Sequence, residues 1–349
     1  MKVAALLSGG VDSSVALSLL RSEGHDVTAF YLKVWLEDEL SHLGTCPWEE
    51  DLRFAREVCR RLDVPLEVRS LQRPYWDRVV RYAVAELEAG RTPSPDVLCN
   101  QHIKFGAFLD EIDSGFERVA SGHYARRDDA SGRMVLKRGA DPVKDQTYFL
   151  ARLSQEQLAR AHFPLGTLHK SEVRKQAREL ALPNQDRRDS QGICFLGKIP
   201  YRDFVRHHLG EREGEIVDAD SGKVLGRHRG YWFHTIGQRE GLGLSHGPWF
   251  VQGKDVARNV VFVSHRDRVE ARSRSSFEVE ALHWIGDPPG RRDLAVRVRH
   301  GRTLHEATLD VDGGRGRVWL RESDRGIAPG QFAVFYDGDV CLGAGSIAA

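Results

Sequence analysis

The sequence predicts an α/β fold, in which a parallel sheet with helices on both faces is followed by a small central domain and a small C-terminal domain, a β-barrel or a β-sandwich. Three observations lead to this prediction. The apolar run 3–7 passes directly into the glycine-rich stretch 8–14 and then into a segment with helical apolar spacing. Strand-like and helix-like segments alternate up to about residue 125. From Gly210 onward glycines become frequent and short β-like segments alternate with turns, which is typical of all-β domains.

The first half of the chain alternates strand and helix in a regular order. Predicted strands are 3–7, 27–34, 66–68 and 118–120, predicted helices are 11–20, 52–62, 76–87 and 103–112, and a hairpin at 125–138 precedes two short helices within 154–181. This alternation favours parallel pairing of the strands. Ligands of such sheets bind beyond the carboxyl ends of the strands, where the stretch 8–14 and the turn Ser121-Gly122-His123 are expected to meet.

The β-rich half is predicted to form two small domains. Its strand-like segments are 215–217, 260–264, 295–299, 317–320 and 333–336. We therefore place domains at 1–207, 208–272 and 275–349. If 295–300 is a strand, Arg297 and Arg299 share one face while Val296 and Val298 face the core. Two arginines on one face suit contact with a phosphate backbone, and an edge strand protected by charge is an equally favoured alternative.

Composition indicates a globular protein of the cytoplasm. Of 349 residues, 41% are hydrophobic and 29% charged, which fits a folded chain of two or three domains. No apolar run approaches the roughly 20 residues that span a bilayer, so we expect no membrane association. The first strand starts at the N-terminus, so we expect no signal or transit peptide. The net charge of +1 neither indicates nor excludes a nucleic-acid partner.

The cysteines are few and scattered. There are five, at positions 46, 59, 99, 194 and 341, with no CxxC pair, which fits a reducing compartment. We assign no metal ligands, because the Cys and His residues are not clustered at zinc-binding spacing. Cys59, on an apolar helix stripe, and Cys341 are expected to be buried, and Cys46 stays undecided.

The stretch 8–14, Ser-Gly-Gly-Val-Asp-Ser-Ser, is expected to bind phosphate. A strand, a glycine turn and a helix aim several backbone N–H groups at one point. No lysine follows, so this is not a Walker loop. The stretch resembles the SGGxDS signature of the PP-loop ATP pyrophosphatases, whose fold is that of the adenine nucleotide hydrolases. That resemblance implies binding of ATP and formation of an adenylate. An ordinary serine- and glycine-rich turn is the alternative.

Two cysteines have unusual neighbours. Cys99 follows Thr-Pro-Ser-Pro-Asp-Val-Leu, in which two prolines precede a helical stretch, so it is expected near a helix N-terminus where the helix dipole favours the thiolate. Asp96 lies three residues earlier and could take a proton or orient a substrate. Cys194 lies in the polar, glycine-bearing segment Asp-Ser-Gln-Gly-Ile-Cys-Phe, where partial exposure of the thiol is expected.

Nearly the whole chain resembles the tRNA 2-thiouridine synthases, PP-loop enzymes that act on the wobble uridine of certain tRNAs. The segments that carry the resemblance are 8–14, 90–100, 121–124, 144–150, 192–195 and 234–243. By this resemblance Cys194 receives a persulfide and Cys99 is the partner nucleophile. It further implies that the substrates are tRNA and ATP, with Mg²⁺ on the phosphates and no tightly bound cofactor. A separate protein, a cysteine desulfurase or a sulfur relay protein, would supply sulfur to a monomeric enzyme.

The resemblance also implies positions for the binding residues. Those expected to contact ATP are Leu6, Leu7, Ser8, Gly9, Gly10, Val11, Asp12, Ser13, Leu32 and Gly122. Those expected to contact the target base or tRNA are Ser94, Pro95, Asp96, Lys144, Asp145, Gln146, Arg299 and His300. Four positions depart from the family pattern: Ser94 replaces asparagine, Leu32 methionine, Gln191 threonine and His300 tyrosine. These departures bear on how the base and the adenine are held.

Three other functions stay open on the sequence alone. A PP-loop enzyme that ligates nitrogen would need no paired reactive cysteines. A non-catalytic RNA-binding protein would show no pyrophosphate release that depends on tRNA. A disulfide oxidoreductase that uses Cys99 and Cys194 would have no use for the stretch 8–14. The sequence also leaves open which tRNAs are bound and whether Cys99 and Cys194 form a disulfide during turnover.

Overall fold

The computed structural model of the chain describes residues 1–34, 48–130, 132–189, 200–269, 273–289 and 292–349. In the N-terminal part, five strands form one parallel sheet. These strands are β1 (Lys2–Leu6), β2 (Asp26–Lys33), β3 (Leu66–Ser70), β4 (Arg118–Ala120) and β7 (Ala161–His162). Their order in the sheet is β3-β2-β1-β4-β7. The parallel sheet confirms the predicted fold class, and its strand order changes direction between β1 and β4.

Helices cover both faces of this sheet, as predicted. They are α1 (Val11–Ser22), α2 (Trp48–Leu62), α3 (Gln72–Tyr75), α4 (Arg81–Glu88), α5 (Pro95–Cys99), α6 (Phe108–Glu111), α7 (Thr147–Leu150), α8 (Gln155–Arg160) and α9 (Lys170–Glu179). Val3 and Ala5 of β1 pack in the cluster that contains residues of α1 and α2. Ala4 packs in the cluster on the opposite face, with Val79 and Phe105. The alternation follows from the strand period of two.

Two of these helical runs contain π-helical segments. Trp76–Val80 joins α3 to α4, and Asn100–Ala107 joins α5 to α6. The second run begins at Pro95, a residue favoured at the first helical position. Cys99 is therefore the fifth residue of the run and lies beyond the first turn. The expectation that the N-terminal dipole acts on Cys99 is weakened, because this effect decays within the first turn.

The central region forms a four-stranded sheet in the order β10-β11-β8-β9. Its elements are β8 (Gly214–Asp218), β9 (Val224–His228), β10 (Trp249–Asp255) and β11 (Val260–His265), with α10 (Tyr201–Leu209) before them and α11 (Arg266–Val269) after them. Strand β11 pairs with β8 in parallel, and the other pairs are antiparallel.

The C-terminal region is a closed barrel of six strands, because β12 pairs with both β15 and β17. The strands are β12 (Arg274–Trp284), β13 (Arg292–Arg297), β14 (His305–Asp312), β15 (Arg315–Asp324), β16 (Phe332–Asp337) and β17 (Val340–Ile347). The predicted hairpin is present as β5 (Ala125–Ala130) and β6 (Arg133–Arg138). Strand β6 pairs with β17, so the hairpin extends the barrel sheet and joins the N-terminal part to it.

The prediction that Arg297 and Arg299 share one exposed face of a strand at 295–300 was wrong in two respects. Strand β13 ends at Arg297, so Arg299 follows it in a bend. Arg297 is only 1% exposed and cannot present its charge to a solvent-borne partner. The physical reason is that the N-terminal part covers this face of the barrel, whereas Val296 and Val298 fill the barrel interior.

The segment between α4 and α5 contacts both of the other regions. The Lys254 ammonium donates to the Gly90 carbonyl at 2.8 Å. The Thr92 N–H donates to the Pro329 carbonyl at 2.8 Å. The central sheet and the barrel therefore hold the segment that leads directly into Ser94 and α5 (Pro95–Cys99), which is called the Cys99 helix below.

Candidate active site

The stretch 8–14 forms a tight loop between β1 and α1. Gly10 occupies the N-cap position with extended backbone and no side-chain cap. The Ser13 hydroxyl donates to the Gly10 carbonyl at 3.0 Å and accepts the Ser8 N–H at 3.2 Å. Gly9 has φ +73°, and an added Cβ there would lie 2.3 Å from the Asp51 carbonyl oxygen. The loop therefore requires glycine at position 9 and leaves the first N–H groups of α1 without a side-chain cap.

Two residues that were not predicted from the sequence, Asn184 and Arg187, hold this loop in place by hydrogen bonds. The Asn184 amide donates to the Gly9 carbonyl at 2.8 Å and to the Ser14 hydroxyl at 2.9 Å. The Arg187 guanidinium donates to the same Gly9 carbonyl at 3.1 Å. Both lie in the polar run that follows α9. A local polar run gives no sequence signal for a contact 170 or more positions away.

Asp12 is the first member of a series of ion-paired side chains, alternately acidic and basic, that extends from the loop to Lys144. Its carboxylate accepts from the Lys170 ammonium at 2.6 Å and from the Tyr124 hydroxyl at 3.0 Å. Lys170 also lies 2.7 Å from Asp189, whose other oxygen accepts from Lys144 at 2.7 Å. Burial opposes ionisation of Asp189, but hydrogen bonds from Lys144 and Lys170 hold its pKa well below the usual range. The series thus connects the phosphate loop to the Lys144 segment.

The turn that follows β4 lies against the phosphate loop, as the sheet topology predicted. An added Cβ on Gly122 would lie 2.9 Å from the Ser13 nitrogen, so only glycine permits this approach. Ser121 and His123 share a hydrogen bond of 2.7 Å between Oγ and Nδ1. Burial, with a further contribution from Lys104, holds the pKa of His123 well below its usual value. This imidazole is therefore neutral at pH 7.

Gln146 is tied to the same turn. Its side-chain oxygen accepts the Tyr124 N–H at 3.1 Å, and its own N–H donates to the Tyr124 carbonyl at 3.0 Å. Leu32 lies near the carboxyl end of β2, where it pairs with Arg69 of β3 and is half-buried against the core. The structure thus brings the predicted ATP residues of three strand ends to one edge of the sheet.

The Cys99 helix lies in the core of the N-terminal part. Cys99 is 2% exposed, so its thiol is covered in this conformation. The Asn100 amide donates to the Asp96 carbonyl at 3.1 Å and to the Phe149 carbonyl at 3.1 Å. These bonds fix the Cys99 helix against α7, which follows the segment 144–146. Ser94 and Asp96 are half-buried at the start of the helix, and Pro95 is buried.

The barrel contributes His300 to this neighbourhood. Its ring lies 4.4 Å from the Phe149 ring and 6.1 Å from the Tyr148 ring. Burial and the nearby Arg297 lower its pKa, so the imidazole is neutral at pH 7. Arg299 is partly exposed and is held by two hydrogen bonds to Asp324, at 2.7 and 2.9 Å.

Asp145 differs from the expectation of direct tRNA contact. Its carboxylate is buried and accepts from Arg297 at 2.7 Å, from Arg138 at 3.2 Å and from the Thr147 hydroxyl at 2.8 Å. A carboxylate covered on all sides cannot reach an RNA molecule in this conformation. Asp145 therefore holds its segment to the barrel, while Lys144 and Gln146 flank it.

Of the four cysteines other than Cys99, two are buried and two lie outside the described residues. Cys59 and Cys341 are buried, as predicted. Burial raises the pKa of Cys59 to about 12 and also raises the pKa of Cys341. Both are protonated at pH 7 and are poor nucleophiles. Cys46 and Cys194, with Gln191, lie outside the described residues.

The described part of the chain contains no cluster of three or more His, Cys, Asp or Glu side chains suited to a metal ion. Within the same residues, no helix is both long and apolar enough to cross a bilayer.

Three family models match consecutive parts of the chain. They are described as tRNA methyl transferase HUP domain, matching residues 1–198, tRNA methyl transferase PRC-barrel domain, matching 202–265, and Aminomethyltransferase beta-barrel domain, matching 274–347. The matched ranges follow the three structural regions described above.

Several full-length proteins are similar to this chain. The tRNA-specific 2-thiouridylase MnmA 1 of Bacteroides thetaiotaomicron is 46% identical over 355 residues, which cover 99% of each chain. The tRNA-specific 2-thiouridylase MnmA of Parabacteroides distasonis is 44% identical over 354 residues, with 99% of each chain covered. That of Porphyromonas gingivalis is 45% identical over 359 residues, again with 99% of each chain covered. The similarity therefore includes all three regions.

Proposed function

Because this chain belongs to the tRNA-specific 2-thiouridylase family, we propose that it catalyses ATP-dependent 2-thiolation of the wobble uridine of tRNA. The observation that carries the proposal is the meeting of the loop 8–14 with the turn at Gly122, beside a segment tied to the Cys99 helix. Phosphate binding, base binding and a thiol are needed for this reaction, and these elements supply residues for each.

The first chemical step activates the uridine. Its 2-carbonyl oxygen is a poor leaving group until it is esterified. In the proposed step that oxygen attacks the α-phosphorus of ATP, the bond to the bridging oxygen breaks, and pyrophosphate leaves. The N–H groups of Gly9, Gly10 and the start of α1, with the hydroxyls of Ser8 and Ser13, bind the phosphates. Asp12 with phosphate oxygens and water is a ligand set that suits Mg²⁺, which would neutralise phosphate charge.

The second step transfers sulfur. The terminal sulfur of a persulfide on Cys194 attacks C2 of the adenylated uridine, and AMP leaves with the former uridine oxygen. Cys99 then attacks the Cys194 sulfur, which leaves the second sulfur on the base as the 2-thio group and joins the two cysteines in a disulfide. A thiol reductant must reopen that disulfide before the next turnover. The alternative is that Cys99 attacks the persulfide first and releases sulfide, which attacks C2.

The regions are proposed to share this work. Residues 1–207 carry the ATP and cysteine chemistry, 208–272 form a connecting domain, and 275–349 contribute Arg299 and His300 to tRNA contact. A basic residue such as Lys144 suits a phosphate, and the neutral ring of His300, which lies beside Phe149, suits a base. An external sulfur donor protein, a desulfurase or a relay protein, is proposed to load Cys194.

The test is mass analysis of nucleosides from unmodified tRNA incubated with the protein, ATP and a sulfide source. We expect 2-thiouridine, located by nuclease fragments at the first anticodon position, only when ATP is present. Cys194→Ser should yield none, whereas Cys59→Ala, which removes a buried thiol elsewhere, should retain the product. A thiolated base in another position would contradict the proposed substrate site. ATP use without any thiolated base, undiminished in Cys194→Ser, would favour nitrogen ligation instead.

A further inference from the structure

The central region contains a cavity that the proposed chemistry does not use. It has a volume of about 240 Å³ and lies between α10, the end of β9 and the stretch 234–243. Four arginines line it, together with two histidines. The arginines are Arg202, Arg206, Arg227 and Arg229. The stretch 234–243 is one of the segments that carry the family resemblance, yet it holds none of the residues assigned to ATP, sulfur or the target base.

Three of the four arginines already have carboxylate partners. Arg206 pairs with Asp203 and with Glu211, each at 2.7 Å. Arg229 approaches the same Glu211 carboxylate, which also lines the cavity, at 3.4 Å, and Arg227 pairs with Glu213. Arg202 is different. Its guanidinium donates to the Gly241 carbonyl at 3.3 Å and lies over the Phe233 ring, and no carboxylate of the described residues pairs with it. The four arginines thus face three carboxylates, Asp203, Glu211 and Glu213, and one guanidinium charge is left without a counter-charge.

One buried histidine that lines the cavity also carries a polar atom without a hydrogen-bond partner in the described part of the chain. His234 is 4% exposed and lines the cavity, and its Nδ1 makes no hydrogen bond within the described part of the chain. Burial, with the charges of Arg202 and neighbouring groups, lowers the pKa of His234 to about 3. The ring is neutral at pH 7, and the nearby Arg202 charge favours an anion rather than a cation beside it. Leaving a buried polar nitrogen unpaired costs free energy.

We propose that this cavity binds a phosphate group, and that the group is a backbone phosphodiester of the bound tRNA. A phosphodiester carries one negative charge, which matches the single uncompensated guanidinium of Arg202. Free phosphate or pyrophosphate carries more negative charge than the one uncompensated positive charge of the cavity can balance. Arg202 also lies only eight residues after Cys194, a chain distance of at most about 29 Å, so a tRNA whose uridine reaches Cys194 passes near the cavity. This inference rests on the proposed tRNA substrate.

The test compares the salt dependence of tRNA binding in matched variants. Arg202 is exposed, so Arg202→Gln should fold normally. We expect it to flatten the slope of log affinity against log KCl by about 0.9 or less, because one phosphate contact is lost. Arg202→Lys should retain most of the slope. Arg266→Gln removes an exposed arginine of the same region that does not line the cavity, and it should leave the slope unchanged.

A second experiment distinguishes a phosphodiester of the tRNA backbone from free phosphate or pyrophosphate as the bound group. Calorimetric titration with pyrophosphate is carried out on the protein and on Arg202→Gln. If pyrophosphate binding falls in the variant while the tRNA slope is unchanged, the cavity holds free phosphate and the RNA assignment is overturned. If neither quantity changes, the cavity is not a phosphate site. Neither measurement needs sulfur transfer, so failure to form 2-thiouridine would overturn the proposed reaction and leave this result standing.

Discussion

Arg297 of the barrel and Asp145 of the N-terminal part form an ion pair at 2.7 Å in which both side chains are almost fully buried. The Arg297 guanidinium also lies 5.2 Å from the centre of the Tyr336 ring. Asp145 sits between Lys144 and Gln146, and Arg297 lies two residues before Arg299. The pair therefore sets the position of two segments that we assign to tRNA, although neither member is exposed to RNA.

Removal of Arg297 should be strongly destabilising. Arg297→Met leaves the Asp145 carboxylate buried without its main counter-charge, and such losses cost about 3–5 kcal/mol. Urea unfolding measures this change in the free energy of unfolding. The control is Arg317→Met, which removes an arginine of the same barrel that pairs with Glu278 at the same 2.7 Å but is exposed. It should cost about 1 kcal/mol or less. Equal losses in the two variants would mean that burial of the pair is unimportant.

A pair of glycine substitutions separates backbone strain from steric conflict at the phosphate loop. Gly9 and Gly24 have nearly the same φ, +73° and +78°, but an added Cβ at Gly24 meets nothing within 4 Å. Gly24→Ala should therefore cost only the left-handed backbone penalty, about 1–2 kcal/mol. Gly9→Ala should cost more and should also weaken ATP binding, because its Cβ displaces the Asp51 carbonyl. Unfolding curves and ATP titration measure both effects, and equal behaviour of the two variants would contradict the steric argument.

The sequence predicted the parallel sheet and the meeting of residues 8–14 with Gly122, because strand–helix alternation and glycine spacing are local patterns. It missed Lys170, Asn184 and Arg187, whose contacts to the loop depend on how distant segments pack. It was wrong about Arg297, because a period-two pattern assigns a residue to a face of a strand but does not reveal what covers that face. Here the segment around Asp145 covers that face of β13. The sequence predicted the β5–β6 hairpin, but it did not predict that the hairpin pairs with the barrel sheet.

Asp12 is expected to be essential for ATP chemistry and dispensable for tRNA binding. A carboxylate inside a phosphate loop repels phosphate unless a cation intervenes, and Lys170 at 2.6 Å already supplies one positive charge. Asp12→Ala should abolish pyrophosphate release that depends on tRNA while leaving tRNA affinity nearly unchanged. Asp26→Ala, an exposed aspartate at the start of β2, is the control. Normal pyrophosphate release from Asp12→Ala would remove this residue from the proposed mechanism.

Lys144 and Arg299 are expected to neutralise tRNA phosphates. In the structure Lys144 pairs with the Asp189 carboxylate and Arg299 with the Asp324 carboxylate. When tRNA binds, each side chain must therefore exchange its carboxylate partner for a phosphate. Lys144→Gln and Arg299→Gln should each flatten the salt dependence of tRNA affinity by about one unit or less. Lys175→Gln, which removes an exposed lysine of α9, should not. If both variants keep the slope of the unchanged protein, these residues serve only to hold their carboxylate partners.

The proposed sulfur carrier is tested by intact-mass measurement after incubation with a sulfur donor. Cys194→Ser should still adenylate tRNA, because the phosphate loop is unchanged, but it should gain no sulfur at the active site and form no 2-thiouridine. The matched control is Cys341→Ala, which removes a buried cysteine of the barrel. It should gain sulfur and form product if folding is retained, as checked by circular dichroism. A persulfide that survives in Cys194→Ser would place the carrier elsewhere.

Cys99 is expected to act on sulfur that is already loaded, so its loss should stop the reaction at a later stage. Cys99→Ser should accept one sulfur on Cys194 and adenylate tRNA, yet fail to complete turnover, because no second thiolate resolves the persulfide. Cys99 is 2% exposed, so in the unchanged protein an alkylating reagent should label it slowly unless ATP and tRNA open the site. A persulfide found in Cys194→Ser but absent from Cys99→Ser would reverse the two roles. Thiolation of tRNA by both single variants would exclude the two-cysteine mechanism.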